Sequence, residues 1–212
     1  MIRGCFLSGD TVLVWSPQGA ISLRRDHRIT GSLIGGLPTS PRQRDYMGLP
    51  LELLPEETSL LLKKGLIYIS TYNEPHPDNE TKIVHSSDCT DAIDHVNTDT
   101  VNTDTDYVNW NWPSTDEEVL RFRVYSDLWQ KGYYITSGLK YGGEYLVYEG
   151  DPAIVHSHFI AKLLQWDEPI SPLSLVQDGR LGGKVKKNTI YCTVNPTTDN
   201  VEYLTLSWSG IS

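Results

Sequence analysis

Residues 96–105 read VNTDTVNTDT, a five-residue unit written twice, and they sit inside a long acidic stretch. Between Asn73 and Glu118 there are twelve acidic residues and a single basic one, Lys82, a local balance of −11. The rest of the chain holds seventeen basic and fifteen acidic residues, so the net charge of −9 belongs to this one segment. A stretch rich in Asn, Asp and Thr, with few large aliphatic residues, buries too little apolar surface to offset the entropy of ordering it. Residues 73–113 are therefore expected to form a disordered acidic linker, with Trp110 and Trp112 marking the return to a folded surface. That divides the 212 residues into a smaller domain over 1–72 and a second over 114–212.

No stretch approaches the ~18 apolar residues of a membrane span, and the opening MIRGCFLSGD lacks the apolar core of a signal peptide. Cys5, Cys89 and Cys192 lie far apart without a C-x-x-C pair, which argues against a disulfide framework or a thiolate zinc site and fits a reducing compartment. The first domain reads as a small α/β module. TVLVWS alternates like a strand, and PQGAISLRRDHRI suits a short helix with Arg24, Arg25 and Arg28 outward. LPTSPRQRDYMGLP is punctuated like a loop. LLPEETSLLLKKG has Pro55 at a helix start, acids in the first turn, lysines in the last and Gly65 as its cap, and LIYIST follows as a buried strand.

In the second domain Ser114 and Glu117 have capping-box spacing, and Leu120, Val124 and Leu128 recur on one helical face until Lys131-Gly132. YYITSG, YLVY and HSHFIA read as strands, and Ser171-Pro172 opens a short helix to about Asp178. TIYCTV and VEYLTLSW flank NPTTDN as a closing hairpin. The expected fold class is α/β (α+β): a small N-terminal domain followed by a mixed sheet with helices packed on it.

Candidate chemistry gathers in YEGDPAIVHSHFI, residues 148–160. Tyrosine is favoured in sheets, so Tyr148 taken alone is an ordinary strand residue. His156 and His158 alternate by two and would share one face of a strand. An H-x-H pair can chelate a metal only if a third ligand converges on it, and Asp151, Asp167 and Glu168 give no recognised ligand spacing. Arg180, Lys184, Lys186 and Lys187 place four positive charges in eight residues, a local phosphate-attracting patch in an acidic chain.

Over nearly its whole folded length the chain resembles the eukaryotic tRNA-splicing endonuclease subunits, specifically the catalytic type assigned to the 3′ splice site. The residues that carry the resemblance are FRVYSDLWQKGYYITSGLKYGGEYLVYEGDPAIVHSHFIA and SPLSLVQDGRLGGKVKKNTIYCTV, with GGLPTSPRQRDYMGLPLELLPEETSLLLKKG matching that subunit's N-terminal domain. The resemblance implies a restriction-endonuclease-like catalytic domain and a catalytic triad at Tyr148, His156 and Lys187. It implies a nucleotide clamp at Arg180 and Trp208 that serves the partner catalytic subunit's cut. It also implies pre-tRNA as substrate, no metal or cofactor, a heterotetramer with a second catalytic and two structural subunits, and a nuclear location. Glu149 departs from the family, which has proline there, and adds a charge beside the expected base.

The implied reaction is attack of the substrate's 2′-hydroxyl on the adjacent phosphorus, leaving a 2′,3′-cyclic phosphate and a 5′-hydroxyl. It needs a base and an acid on opposite sides of the phosphate. Histidine titrates near neutrality and suits the acid. A phenol, with an ordinary pKa of about 10, serves as base only with a cation nearby, and the same cation stabilises the extra charge of the phosphorane. Tyr148 is thus expected as base, His156 as acid and Lys187 as electrostatic stabiliser. Two other possibilities remain open: a non-catalytic structural or RNA-binding subunit of the same complex, and a metal-dependent hydrolase built on His156 and His158.

Overall fold

Two of the helices begin where a side-chain oxygen and a proline fall together. Ser16 accepts from the Gly19 amide at 3.1 Å ahead of Pro17, which opens α1 (Pro17–His27). Ser171 accepts from Ser174 at 3.0 Å ahead of Pro172, which opens α4 (Pro172–Val185). Each hydroxyl satisfies an amide that the helix leaves unbonded, and proline has no amide to lose. In α2 (Pro55–Lys63) the Glu57 carboxylate reaches back to the Leu54 amide at 2.9 Å. α3 (Asp116–Gln130) starts at a full capping box of Thr115 and Glu118, one residue later than the spacing of Ser114 and Glu117 suggests. Ser114 instead donates its hydroxyl and its amide to Glu118, reinforcing the same turn.

This architecture is that of a computed structural model, which describes residues 1–36, 48–71 and 110–209. Most of the linker expected at 73–113, and much of the loop expected at 37–50, lies outside those residues. Two five-stranded mixed sheets carry the fold. The first comprises β1 (Ile2–Ser8), β2 (Thr11–Val14), β3 (Ser32–Gly35), β4 (Gly48–Leu53) and β5 (Ile67–Thr71), in the order β3-β4-β2-β1-β5 with β1 and β5 parallel. β4 takes up Gly48–Pro50, which the sequence assigns to the loop.

The second sheet comprises β6 (Tyr134–Ser137), β7 (Tyr145–Tyr148), β8 (Phe159–Leu163), β9 (Asn188–Val194) and β10 (Val201–Leu206), in the order β10-β9-β8-β7-β6. All its pairs are antiparallel except β8 and β9. A parallel pair needs a long crossover, and α4 supplies it. That helix runs seven residues past Asp178, where the sequence suggests an end. Its glycines do not break it. A Cβ on Gly182 would come within 2.5 Å of the Lys187 carbonyl and one on Gly179 within 2.9 Å of the Trp208 ring, so they permit close packing instead.

One continuous core spans both sheets, from Val12, Leu53 and Leu61 to Tyr125, Tyr145 and Ile190. Trp112 joins it, 8% exposed and edge-on to Phe122 at 6.0 Å, while Trp110 donates to the Ser59 hydroxyl at 2.7 Å. At the seam between the sheets, α2 buries two carboxylates completely. Glu56 accepts from Arg121 Nε at 2.9 Å and from the Tyr145 hydroxyl at 2.6 Å. Glu57 accepts from the amides of Gly31 and Leu54, with the Tyr125 hydroxyl at 3.4 Å. Buried charges need such partners. Desolvation raises the Glu57 carboxyl to about 7 in spite of its amide donors. The Arg24 and Arg28 side chains, expected to face outward, belong to this seam: Arg28 donates to the Trp129 carbonyl at 3.0 Å and Arg24 pairs with Asp151.

Candidate active site

Three strand ends of the second sheet define the site. β7 finishes on Tyr148, half-buried and opposite Tyr134 of β6, and the Thr136 hydroxyl lies 3.4 Å from the phenol oxygen. The chain then leaves the sheet through Gly-Asp-Pro and returns where the His158 amide donates to the Val147 carbonyl at 3.0 Å. β8 begins only at Phe159, so His156 and His158 lie in the connection and not on the strand expected for HSHFIA. The alternating pattern there is interrupted because Asp151 winds the segment into a turn. Its side chain accepts from the Ala153 amide at 2.8 Å, and its carbonyl accepts from the amides of Ile154 and Val155.

Lys187 arrives from the other direction. Lys186 caps the end of α4 in the left-handed conformation, φ 55°, and the next residue precedes β9 directly. Parallel pairing sets Asn188 against Phe159, and the Asn188 amide donates to the His158 carbonyl at 3.0 Å. The Lys187 ammonium consequently reaches the Ser157 carbonyl at 3.1 Å, beside His156 in the chain. It also stands 5.7 Å from the centre of the Tyr141 ring, within cation–π range. Ser157 is buried, whereas the rings of His156 and His158 are exposed. The backbone thus brings Tyr148, His156 and Lys187 to one end of the sheet, at the C-terminal end of β7 and ahead of the N-terminal ends of β8 and β9.

His158 Nδ1 lies 3.1 Å from the Glu149 carboxylate, so the charge beside Tyr148 turns toward the second histidine. Among the described residues no group of three or more His, Cys, Asp or Glu side chains is placed to hold a metal ion. Arg180 and Trp208 form a second locus, about two helical turns along α4 from Lys187. The guanidinium is 5.8 Å from the centre of an indole that is 42% exposed. Asp178 holds this stretch of helix to the sheet by accepting from Lys162 at 2.7 Å and from Tyr191 at 2.6 Å. Burial and that carboxylate push the Tyr191 phenol well above its ordinary range.

Two contacts at the site escape sequence reasoning. Tyr141 stands in a 3₁₀ turn, Leu139–Tyr141, whose residue pattern gives no sign that it meets Lys187. Arg24 of α1 grips both carboxylate oxygens of Asp151, at 2.5 and 3.0 Å, across a separation of 127 residues. The guanidinium holds the Asp151 carboxyl below the usual carboxylate range. Gly-Asp-Pro is itself a turn-forming sequence, but nothing near it points to Arg24.

Comparison with known proteins agrees with this architecture. Residues 3–72 match the family model described as TSEN34-like, N-terminal domain, and residues 119–203 match tRNA intron endonuclease, catalytic C-terminal domain. The second match contains Tyr148, His156, Arg180 and Lys187. The chain is 25% identical to the mouse protein named tRNA-splicing endonuclease subunit Sen34, over 94% of this chain and 96% of the mouse one. It is likewise 25% identical to a Schizosaccharomyces pombe protein named probable tRNA-splicing endonuclease subunit sen34, over 93% and 94%. Against a tRNA-splicing endonuclease of the archaeon Hyperthermus butylicus it is 40% identical over 42% of this chain and half of that one. The two family matches follow one another in order and together take up more than half of the sequence: the chain belongs to the tRNA-splicing endonuclease family, with a Sen34-type N-terminal domain joined to a tRNA intron endonuclease catalytic domain.

Proposed function

We propose that this chain is the catalytic subunit that cuts pre-tRNA at the 3′ splice site, without a metal, by attack of the RNA's own 2′-hydroxyl. The observation that carries the proposal is the Lys187–Ser157 contact, which joins the end of α4 to the segment bearing His156 beside the strand that ends in Tyr148. Tyr148 accepts the 2′-hydroxyl proton as the O2′–P bond forms. His156 gives a proton to O5′ as the P–O5′ bond breaks. Lys187 offsets the charge that accumulates on the non-bridging oxygens between these events. The products are a 2′,3′-cyclic phosphate and a 5′-hydroxyl, and no cofactor takes part.

Arg180 and Trp208 supply a platform for an unpaired base, for which stacking is worth about 1–3 kcal/mol. By the family resemblance that base belongs to the partner catalytic subunit's cut. Arg180→Ala is then expected to slow 5′-site cleavage more than 3′-site cleavage, and equal losses would overturn the division. The working enzyme contains a second catalytic and two structural subunits and acts in the nucleus. The principal test uses that assembled complex with a pre-tRNA in excess EDTA, followed by end-group analysis. Sustained cutting with a cyclic phosphate product is expected, together with a loss of about 10²–10⁴ in single-turnover rate for His156→Ala. Inhibition by the chelator would favour a metal-dependent hydrolase. Unchanged 3′ cutting in the His156→Ala enzyme would leave a structural subunit as the better description.

A further inference from the structure

We infer that Arg24, in the N-terminal domain, is a positioning residue for the reaction: through Asp151 it fixes the segment that presents His156. The inference rests on His156 acting at the site as proposed above. The segment from Glu149 to His158 leaves the sheet after β7 and carries an exposed apolar tip, Ile154 being 84% exposed. Little burial restrains such an excursion, so its conformation depends on specific ties. Among the described residues two side chains from elsewhere hold it. Lys187 holds the Ser157 carbonyl on the far side of His156, and Arg24 holds Asp151 on the near side.

The second tie has the stronger geometry. Arg24 presents Nε and Nη2 to separate carboxylate oxygens, a fork that fixes orientation as well as distance. The pair is only partly exposed, at 38% for the Arg24 side chain and 29% for Asp151. Asp151 transmits the constraint. One of its carboxylate oxygens also accepts from the Ala153 amide, and its carbonyl caps the turn over Ile154 and Val155, the residue before His156. Arg24 is itself fixed, since α1 is seated by the Trp129 indole donating to the His27 carbonyl at 2.8 Å and by Arg28 donating to Trp129 in return. Acid catalysis needs the donor within hydrogen-bond reach of the leaving oxygen, and a displacement of about 1 Å can cost on the order of 10²-fold in rate. A residue of the N-terminal domain thereby contributes to chemistry performed by the other sheet.

The test is a double-mutant cycle in the assembled enzyme, read as single-turnover 3′-site cleavage at saturating pre-tRNA, with RNA affinity measured separately. Arg24→Leu is expected to lower the rate by on the order of 10–100-fold with little change in affinity, and to lower it no further when His156 is already alanine. Arg24→Lys, which keeps the charge but loses the fork, should fall between wild type and Arg24→Leu. It also replaces Arg24→Leu in the cycle if the leucine variant does not fold. An equal loss in both backgrounds would mark Arg24 as merely structural and overturn the inference, as would no loss at all. If His156→Ala alone leaves the rate intact, the proposed catalytic role of His156 fails first and the inference with it. A slow His156→Ala enzyme beside an undiminished Arg24→Leu enzyme would overturn the inference alone.

Discussion

β7 carries two tyrosines three residues apart, and they meet opposite fates. Tyr145 is 1% exposed, donates to Glu56 at 2.6 Å and packs edge-on to Tyr125 at 5.7 Å. Burial and the adjacent carboxylate push its ionisation well above the ordinary phenol range. Tyr148 points to the other face of the strand, half-buried at its C-terminal end, and among the described residues its hydroxyl has only a long contact to Thr136. The same residue on the same strand is therefore a structural donor in one place and available for chemistry in the other. What surrounds the phenol decides this, not its type or its sheet propensity.

Substitutions can break or sharpen that contrast. Tyr148→Phe should produce the largest effect, about 10²–10⁴ in single-turnover cleavage. Its urea midpoint should stay within the equivalent of about 0.5 kcal/mol, as for a surface change. A smaller effect belongs to the neighbouring carboxyl on the buried side. Glu57 is raised to about 7 from an ordinary 4.5, so the fold favours its protonated form. Its contribution to stability is complete below about pH 4.5 and is lost as pH rises through about 7, a difference of up to about 3 kcal/mol. Urea denaturation across pH 4.5–7.5 should show wild type losing stability relative to Glu57→Gln as pH rises; parallel profiles would contradict this. The smallest effect is that of Tyr145→Phe, about 2 kcal/mol of stability from the hydrogen bond lost to Glu56, with the folded enzyme still cutting. If Tyr145→Phe abolished cleavage while remaining folded, the division between the two phenols would fail.

Helix starts and apolar faces were legible in the sequence, because they act over a few residues. Ser16-Pro17, Pro55 and Ser171-Pro172 start helices as their side chains dictate, and Leu120, Val124 and Leu128 are buried on one face of α3. The failures have identifiable causes. GRLGGK looks like a helix breaker by propensity, yet the helix continues because Gly179 and Gly182 let Trp208 and the backbone at Lys187 approach. HSHFIA has the alternation of a strand, but the turn made by Asp151 delays β8 until Phe159. Neither the Arg24–Asp151 pair nor the seam of Glu56 with Arg121 and Tyr145 is visible in any window, since each joins residues far apart in the chain. The candidate triad became visible through resemblance to the family, and its physical rationale lies in the parallel pairing of β8 with β9.

The core that runs unbroken from one sheet to the other has a further consequence. Neither half can shed its neighbour without exposing aliphatic surface and stranding Glu56 and Glu57, so the two sheets stand or fall as one cooperative unit. A backbone nick between β5 and α3 is then expected to leave two fragments clasped by that shared core, one carrying Arg24 and the other His156.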